Sequence, residues 1–450
     1  MQKKEIKIDF DKKCGRIKPL HCINGGPRSG GYNLSFDFSE EFSEIGVPLV
    51  RTVGSAGEYG HNQFVNIHCI FPDFTADEEL EESYNFLPTD LYLASIRNCG
   101  ADILFRLGES REPYSRKLYA KPPADKEKWA RICEHIIMHY NEGWANGFKL
   151  NVKYWEIWSA PDSKECWAAD IEEYFELYRI TANHLHERFP KIKIGGYGAG
   201  GFYSLNRLDA SEEMKSYVPI IQQFFSYVSK EQTAAPLDFF TWCCYTSNPE
   251  ELALHAKYAR SYLDLAGLRR TKSIICEYNT VYRGHTPPAL RKDTPSEIAS
   301  SLIMAQQSAA DMLIYSTSDI YSRDNALFSM DDHITHHHYA SYGVMCDFGR
   351  LYRLGNIVDT GDNHRKELYK LAAANENEGG MLMVTKNYEG KVELVFLNSP
   401  FALCRVSKTI PGGTRGKGSV YQSKDIDITS GRLTLSVGKG EIYFVSFFNK

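Results

Sequence analysis

The chain has 450 residues, 43% hydrophobic and 24% charged, the make-up of a globular protein with a large core. A formal net charge of −5 and a pI near 6.3 give no basis for a nucleic-acid or anionic-membrane partner. No run of about 18 apolar residues occurs, so no membrane-spanning helix is expected.

The opening stretch MQKKEIKIDFDKKCGRIK is charged and lacks an apolar centre, so no secretory signal is read from it. Eleven scattered cysteines without a CxxC pair suit a reducing compartment, and the expected location is cytoplasmic. The alternation in KEIKIDFD predicts a strand within residues 1–14. Eight nearly continuous apolar runs follow: IKPLHCI, VPLVRTV, ADILFRLG, VKYWEIW, KIKIGGYG, LDFFTWCCY, SIICEYN and MLIYSTSD. Such runs suit parallel strands buried on both faces. Between them DKEKWARICEHIIMHY, DIEEYFELYRITANHLHERF and SEIASSLIMAQQSAAD carry helical spacing, the second placing Tyr174, Leu177, Tyr178, Thr181 and Leu185 on one face. Eight strands alternating with helices predict an α/β fold, a (β/α)8 TIM barrel over residues 15–345. A doubly wound open sheet is the alternative, weakened by the absence of GxGxxG after the first strand and of GxxxxGK[ST]. Over 346–450, GGMLMVTKNYEGKVELVFLNSP and GRLTLSVGKGEIYFVSFF each place a turn between strand-like runs. They predict an accessory all-β sandwich, joined by the N-terminal strand.

In a barrel the polar residues at the C-terminal strand ends are the first candidates for chemistry. SIICEYNT is apolar up to Glu277, then gives Tyr278 and Asn279. The structural alternative for Glu277 is an ion pair with Arg106 or Arg51. Strand 4 supplies Glu156, Trp158, Ser159, Ala160 and, past a proline, Asp162; alternation places Glu156 inside the barrel. Strand 3 offers Arg106, Glu109 and Ser110, strand 6 Trp242, Cys243 and Tyr245, and strand 8 with its loop Asp319, Tyr321, Arg323 and Asp324. The adjacent Cys243 and Cys244 read as strand residues facing opposite ways. HITHHHY, with His333, His336, His337 and His338, lacks the spacing of HExxH and reads as a polar loop or helix start.

Five segments together resemble glycoside hydrolase family 39, the β-xylosidase and α-L-iduronidase family of retaining (β/α)8 glycosidases. They are HCINGGP (21–27), VNIHCIFPDFTADEELEESYNFLPTD (65–90), ILFRLGES (103–110), YWEIWSAPD with the following CW and IEEYFELY, and IICEYNT. The resemblance implies two glutamates, an acid/base after strand 4 and a nucleophile after strand 7, about 5–5.5 Å apart. Glu277 falls at the nucleophile position. The acid/base position is Ala160. Ser159 stands for the family's asparagine beside it, Val53 for a strand 2 histidine and Cys243 for a strand 6 histidine, while Tyr245 is kept. By the same resemblance Arg106, Tyr245 and Asn279 position the nucleophile or the sugar, and Trp158 and Tyr321 give stacking surfaces, with Ser159 and Cys243 lining the site. A carbohydrate substrate is implied, a β-xyloside or related glycoside by default, with no cofactor or metal; a homo-oligomer is compatible with the sequence.

Three readings of Ala160 stay open: an engineered exchange of the acid, a natural glycosidase with an altered mechanism, or a non-catalytic carbohydrate-binding pseudoenzyme. In the second, Asp162 and Glu109 are the substitutes to consider, or a leaving group that needs no acid. The changes at Ser159, Val53 and Cys243 go beyond what a single exchange at Ala160 explains.

Overall fold

The computed structural model describes residues 3–29, 36–53, 64–281, 294–316, 326–330, 336–361, 366–410 and 419–450. Eight parallel strands close into a barrel in chain order. They are Cys22–Asn24, Leu49–Arg51, Asp102–Leu107, Tyr154–Ile157, Lys193–Ala199, Phe239–Tyr245, Lys272–Asn279 and Met312–Tyr315, referred to below as barrel strands 1 to 8. Strand 8 returns to strand 1 through Ile314 opposite Cys22 and Tyr315 opposite Ile23, which excludes the open sheet.

Both faces of these strands are buried, which is why their sequences read as unbroken apolar runs. Cys22, Leu49, Leu104, Phe239, Ile274, Cys276, Met312 and Ile314 fill the barrel interior. The outward residues, among them Val50, Phe105, Trp155 and Ile275, pack on the helices. Helix Lys126–Asn141 starts at Asp125, whose carboxylate accepts from the Lys128 amide at 2.8 Å, and it buries Trp129, Ile132, Cys133, Ile136 and Tyr140 at helical spacing. Helix Ile171–Arg188 buries Tyr174, Leu177, Tyr178, Thr181 and Leu185, the face expected from its periodicity. Among the described residues no helix is long and apolar enough to cross a membrane.

Ten further strands form a separate sheet. Its order is Ser419–Gln422, Leu403–Ile410, Ile442–Phe448, Gly379–Val384, Tyr369–Ala374, Asn356–Asp359, Lys3–Arg16, Gly390–Leu397 and Arg432–Val437, with Ile426–Asp427 pairing to Leu403–Ile410. Side chains from both halves meet in one core containing Ile8, Val358, Met381, Leu394, Val406, Val437 and Val445, so the sheet folds over itself as a sandwich. The runs on either side of NYEG do not pair with each other. Gly379–Val384 lies between Tyr369–Ala374 and Ile442–Phe448, whereas Gly390–Leu397 lies between the N-terminal strand and Arg432–Val437. The opposite face of the first half, through Leu371, Leu382 and Phe444, joins the barrel's outer core near Leu351 and Leu354 of helix Ala340–Leu354.

Candidate active site

The end of barrel strand 7 delivers Glu277 to the mouth, with 22% of its side chain exposed. A bulge between Ile275 and Glu277 brings the glutamate level with Cys243 and Asn279 level with Tyr245 on strand 6. The two carboxylate oxygens have different partners. Oε2 accepts from the Tyr245 hydroxyl at 2.6 Å, and Oε1 faces Arg51 Nη1 at 3.3 Å. Burial and the Glu277 carboxylate push the Tyr245 phenol up, so it stays a proton-bearing donor.

Arg51 ends strand 2 and is fully buried. Its Nε donates to Glu156 Oε2 at 2.7 Å, its Nη2 to Ser159 Oγ at 2.9 Å, and its Nη1 lies 3.5 Å from Asn24 Oδ1. Burial works against its charge, but neighbouring Cys276, Glu156 and Glu277 outweigh it and hold the guanidinium protonated. Glu156 Oε1 accepts from Thr241 Oγ1 at 2.6 Å, and that hydroxyl accepts from the Gly198 amide at 2.7 Å. A chain of polar groups therefore crosses the barrel from strand 6 through strands 4 and 2 to the strand 7 carboxylate. Alternation places Glu156 inside, and the structure agrees; the parts of Asn24 and Thr241 in this network carry no mark in the sequence beyond polar residues in apolar strands.

The strand 4 exit makes a defined turn. Trp158 and Ala160 have φ of 65° and 51°, in the left-handed region that disfavours side chains with a Cβ. The Ala160 amide donates to the Tyr197 carbonyl at 2.7 Å, and the Trp158 amide to the Leu107 carbonyl at 2.6 Å. Gly198, with φ of 71°, lies under this turn; a Cβ there would sit 3.0 Å from Ser159 Oγ and 3.2 Å from Arg51 Nη2. Position 160 offers only a methyl group.

Several expected roles change with the geometry. Trp158 is 1% exposed, donates through Nε1 to the Cys166 carbonyl and packs edge-on against Trp167, so it is core and not a stacking surface. The guanidinium on Glu277 belongs to Arg51, while Arg106 Nη2 donates to Asn66 Oδ1 at 2.6 Å. Arg106 Nε and Nη1 are buried without a hydrogen-bond partner among the described residues, and burial pulls this arginine down to about 10. Asn279 spends its amide on the chain itself: Nδ2 donates to the Ser316 carbonyl and Oδ1 accepts from the Thr280 amide. Cys243 is half-buried inside the mouth, whereas Cys244 faces outward, 3.9 Å from His255 Nδ1. The Cys276 thiol beside it, with burial and Glu277, pushes Cys243 up, so it is a thiol and not a thiolate. Tyr321, Asp319, Arg323, Asp324 and His333 lie outside the described residues. His338 Nε2 meets Glu41 Oε1 at 3.1 Å.

Both carboxylates considered as substitutes are bonded to the chain itself. Glu109 is 6% exposed and accepts from the His68 amide at 3.0 Å and from His68 Nδ1. Burial opposes the charge on His68, but hydrogen bonds to Cys69 and Glu109 raise it to about 9, so the two form an ion pair at neutral pH. Asp162 accepts from the Gly200 amide at 2.8 Å, and burial raises it to about 7. Its field acts on Tyr174 and Tyr197, which pack between barrel and helices rather than in the mouth.

Comparison with known proteins agrees with this architecture. The family model described as glycosyl hydrolases family 39 matches residues 34–344. A β-xylosidase of Geobacillus stearothermophilus is 23% identical over 242 residues, 51% of this chain and 47% of that protein. A second β-xylosidase, from Caldicellulosiruptor saccharolyticus, is 25% identical over 146 residues, 30% of this chain and 26% of that one, so the matches span half or less of these curated relatives. The fold is shared with a glucosidase from Croceicoccus marinus, TM-score 0.79 at 19% identity, covering 100% of this chain and 99% of the other. It is also shared with a monomeric β-xylosidase from Caulobacter crescentus, TM-score 0.71 at 11% identity, covering 99% of each. The family model covers well over half the chain, and the chain belongs to glycosyl hydrolases family 39.

Proposed function

We propose that the protein is a retaining-type glycosidase for a β-xyloside or related glycoside, with Glu277 as nucleophile and no carboxylic acid at the proton-donor position. One observation carries the reading: Tyr245 and Arg51 converge on separate oxygens of a part-exposed glutamate at the strand 7 exit. A guanidinium and a phenol on separate oxygens of one carboxylate hold it aimed, which is what attack at an anomeric carbon requires. As Glu277 bonds to that carbon, the bond to the aglycone oxygen breaks and its electron pair leaves with the oxygen. With a methyl at position 160, no proton arrives from strand 4. Aglycones that are stable as anions would leave, and poor ones would stall. Water then cleaves the glycosyl-enzyme ester with retention; azide, which needs no deprotonation, would do so faster.

Ala160 is also the observation that favours the second reading, a carbohydrate-binding pseudoenzyme. Aryl β-xylosides with good and poor leaving groups separate the two. The chain as it stands should turn over only activated substrates, faster with azide, and Ala160→Glu should raise the rate on poor leaving groups by about 10²–10⁴-fold. Sugar binding with no turnover in either form would sink the enzyme reading.

A further inference from the structure

Tyr245 is the last residue of barrel strand 6. A side-chain cluster takes over at that point. The Tyr245 amide donates to the Tyr203 hydroxyl at 2.7 Å, and its carbonyl accepts from Arg207 Nη2 at 3.2 Å. Arg207 lies over the Tyr203 ring, 4.6 Å from its centroid, and meets Glu251 with two bonds, Nε to Oε1 at 2.7 Å and Nη2 to Oε2 at 2.8 Å. Glu251, in the first turn of helix Pro249–Leu265, also accepts from Thr246 Oγ1 at 2.5 Å and from Asn206 Nδ2 at 2.7 Å. Thr246 is tied across to strand 7 through its amide and the Asn279 carbonyl, 2.9 Å apart.

We propose that Glu251, Arg207 and Tyr203 are positioning residues for the reaction. They fix the Tyr245 backbone, and through it the hydroxyl that contacts Glu277. The proposal rests on the reading of Glu277 as nucleophile. A bidentate guanidinium–carboxylate pair has one geometry, and here it is anchored to Tyr245, the last residue of strand 6, and to Thr246 after it. Tyr203 and Arg207 both meet the backbone of Tyr245, whose side chain ends 2.6 Å from the carboxylate. Misplacement of a reacting group by about 1 Å can cost on the order of 10²-fold in rate, so a clamp of this kind has kinetic weight.

The test uses the full chain and a 2,4-dinitrophenyl 2-deoxy-2-fluoro-β-xyloside, whose leaving group needs no acid. The trapping rate constant and the inhibitor's dissociation constant are measured separately for wild type, Glu251→Gln, Arg207→Lys, Tyr245→Phe and the Glu251→Gln/Tyr245→Phe pair. Glu251→Gln and Arg207→Lys should each slow trapping about tenfold, with the dissociation constant changed less than twofold. The double variant should trap no more slowly than Tyr245→Phe alone, because both act through one hydroxyl. Arg207→Lys, which keeps the charge, serves if Glu251→Gln does not fold. Unchanged trapping in the clamp variants, or losses that multiply with Tyr245→Phe, would overturn the clamp. Wild-type labelling at a residue other than Glu277 would instead overturn the nucleophile assignment beneath it.

Discussion

At the scale of single residues, Arg51 is the centre of the site. It is buried and shared between Glu156, Ser159 and Glu277, so removing one partner leaves a charge with less to compensate it. Glu156→Ala is expected to cost about 3–5 kcal/mol, the usual effect of breaking a buried ion pair. Urea unfolding would measure it, and a loss below 1 kcal/mol would mean that water or Glu277 takes over the lost role. Asp162 makes the opposite prediction. Burial raises its carboxyl from 3.8 to about 7, so the folded state prefers the protonated form. That contribution is full below pH 3.8 and lost as pH rises through 7. Asp162→Asn keeps an acceptor for the Gly200 amide and does not titrate. Its melting temperature should match wild type at pH 4 and exceed it above pH 7, by an amount equivalent to roughly 1–3 kcal/mol after solvent screening. Equal melting curves across that range would place the carboxyl in water.

At the scale of elements, the eight strands and their order were legible because each is buried on both faces, and its unbroken apolar run says so. Glu277 was legible for the same reason, as a carboxylate ending such a run. The identity of its guanidinium partner was not. Arg51 and Arg106 both end short apolar runs, and the sequence gives no means of choosing between them; the choice depends on which strand lies across the barrel. Trp158 misled because an aromatic at a strand exit suits a sugar-stacking role, yet its left-handed φ turns the ring back under Gly108. The clamp had no signal at all. Arg207 comes from a turn after strand 5 and Glu251 from a helix start, both surface-like in sequence, and only the fold brings them together. Strand partners in the second sheet were hidden for a related reason: alternation reveals which face of a strand is buried, not which strand lies beside it.

At the scale of the whole molecule, the sheet and the barrel's strand 6 exit are in contact. Lys386 Nζ donates to the Ser247 carbonyl at 3.0 Å, and the Tyr369 hydroxyl bonds Glu250. The sheet therefore braces the same helix start that carries Glu251. It also takes in the N-terminal strand, which buries Ile6, Ile8 and Phe10 and runs parallel to Gly390–Leu397 from Lys3 opposite Lys391 to Asp9 opposite Leu397. Removing residues 1–16 should expose that core. Hydrogen exchange is expected to rise across Gly390–Leu397 and Arg432–Val437 while the barrel strands keep their protection; uniform loss across both units would mean that they unfold together.

The first strand's partner also sets an order of events during synthesis. A ribosome releases Lys3–Arg16 long before Gly390–Leu397 exists, and the whole barrel is made in between. The barrel closes on itself and can fold as soon as strand 8 emerges, while the strand ahead of it must wait, an alternating apolar edge without a neighbour. Its lysines at 3, 4, 7, 12 and 13 keep that waiting segment charged. A segment made before the barrel is thus among the last to find its place.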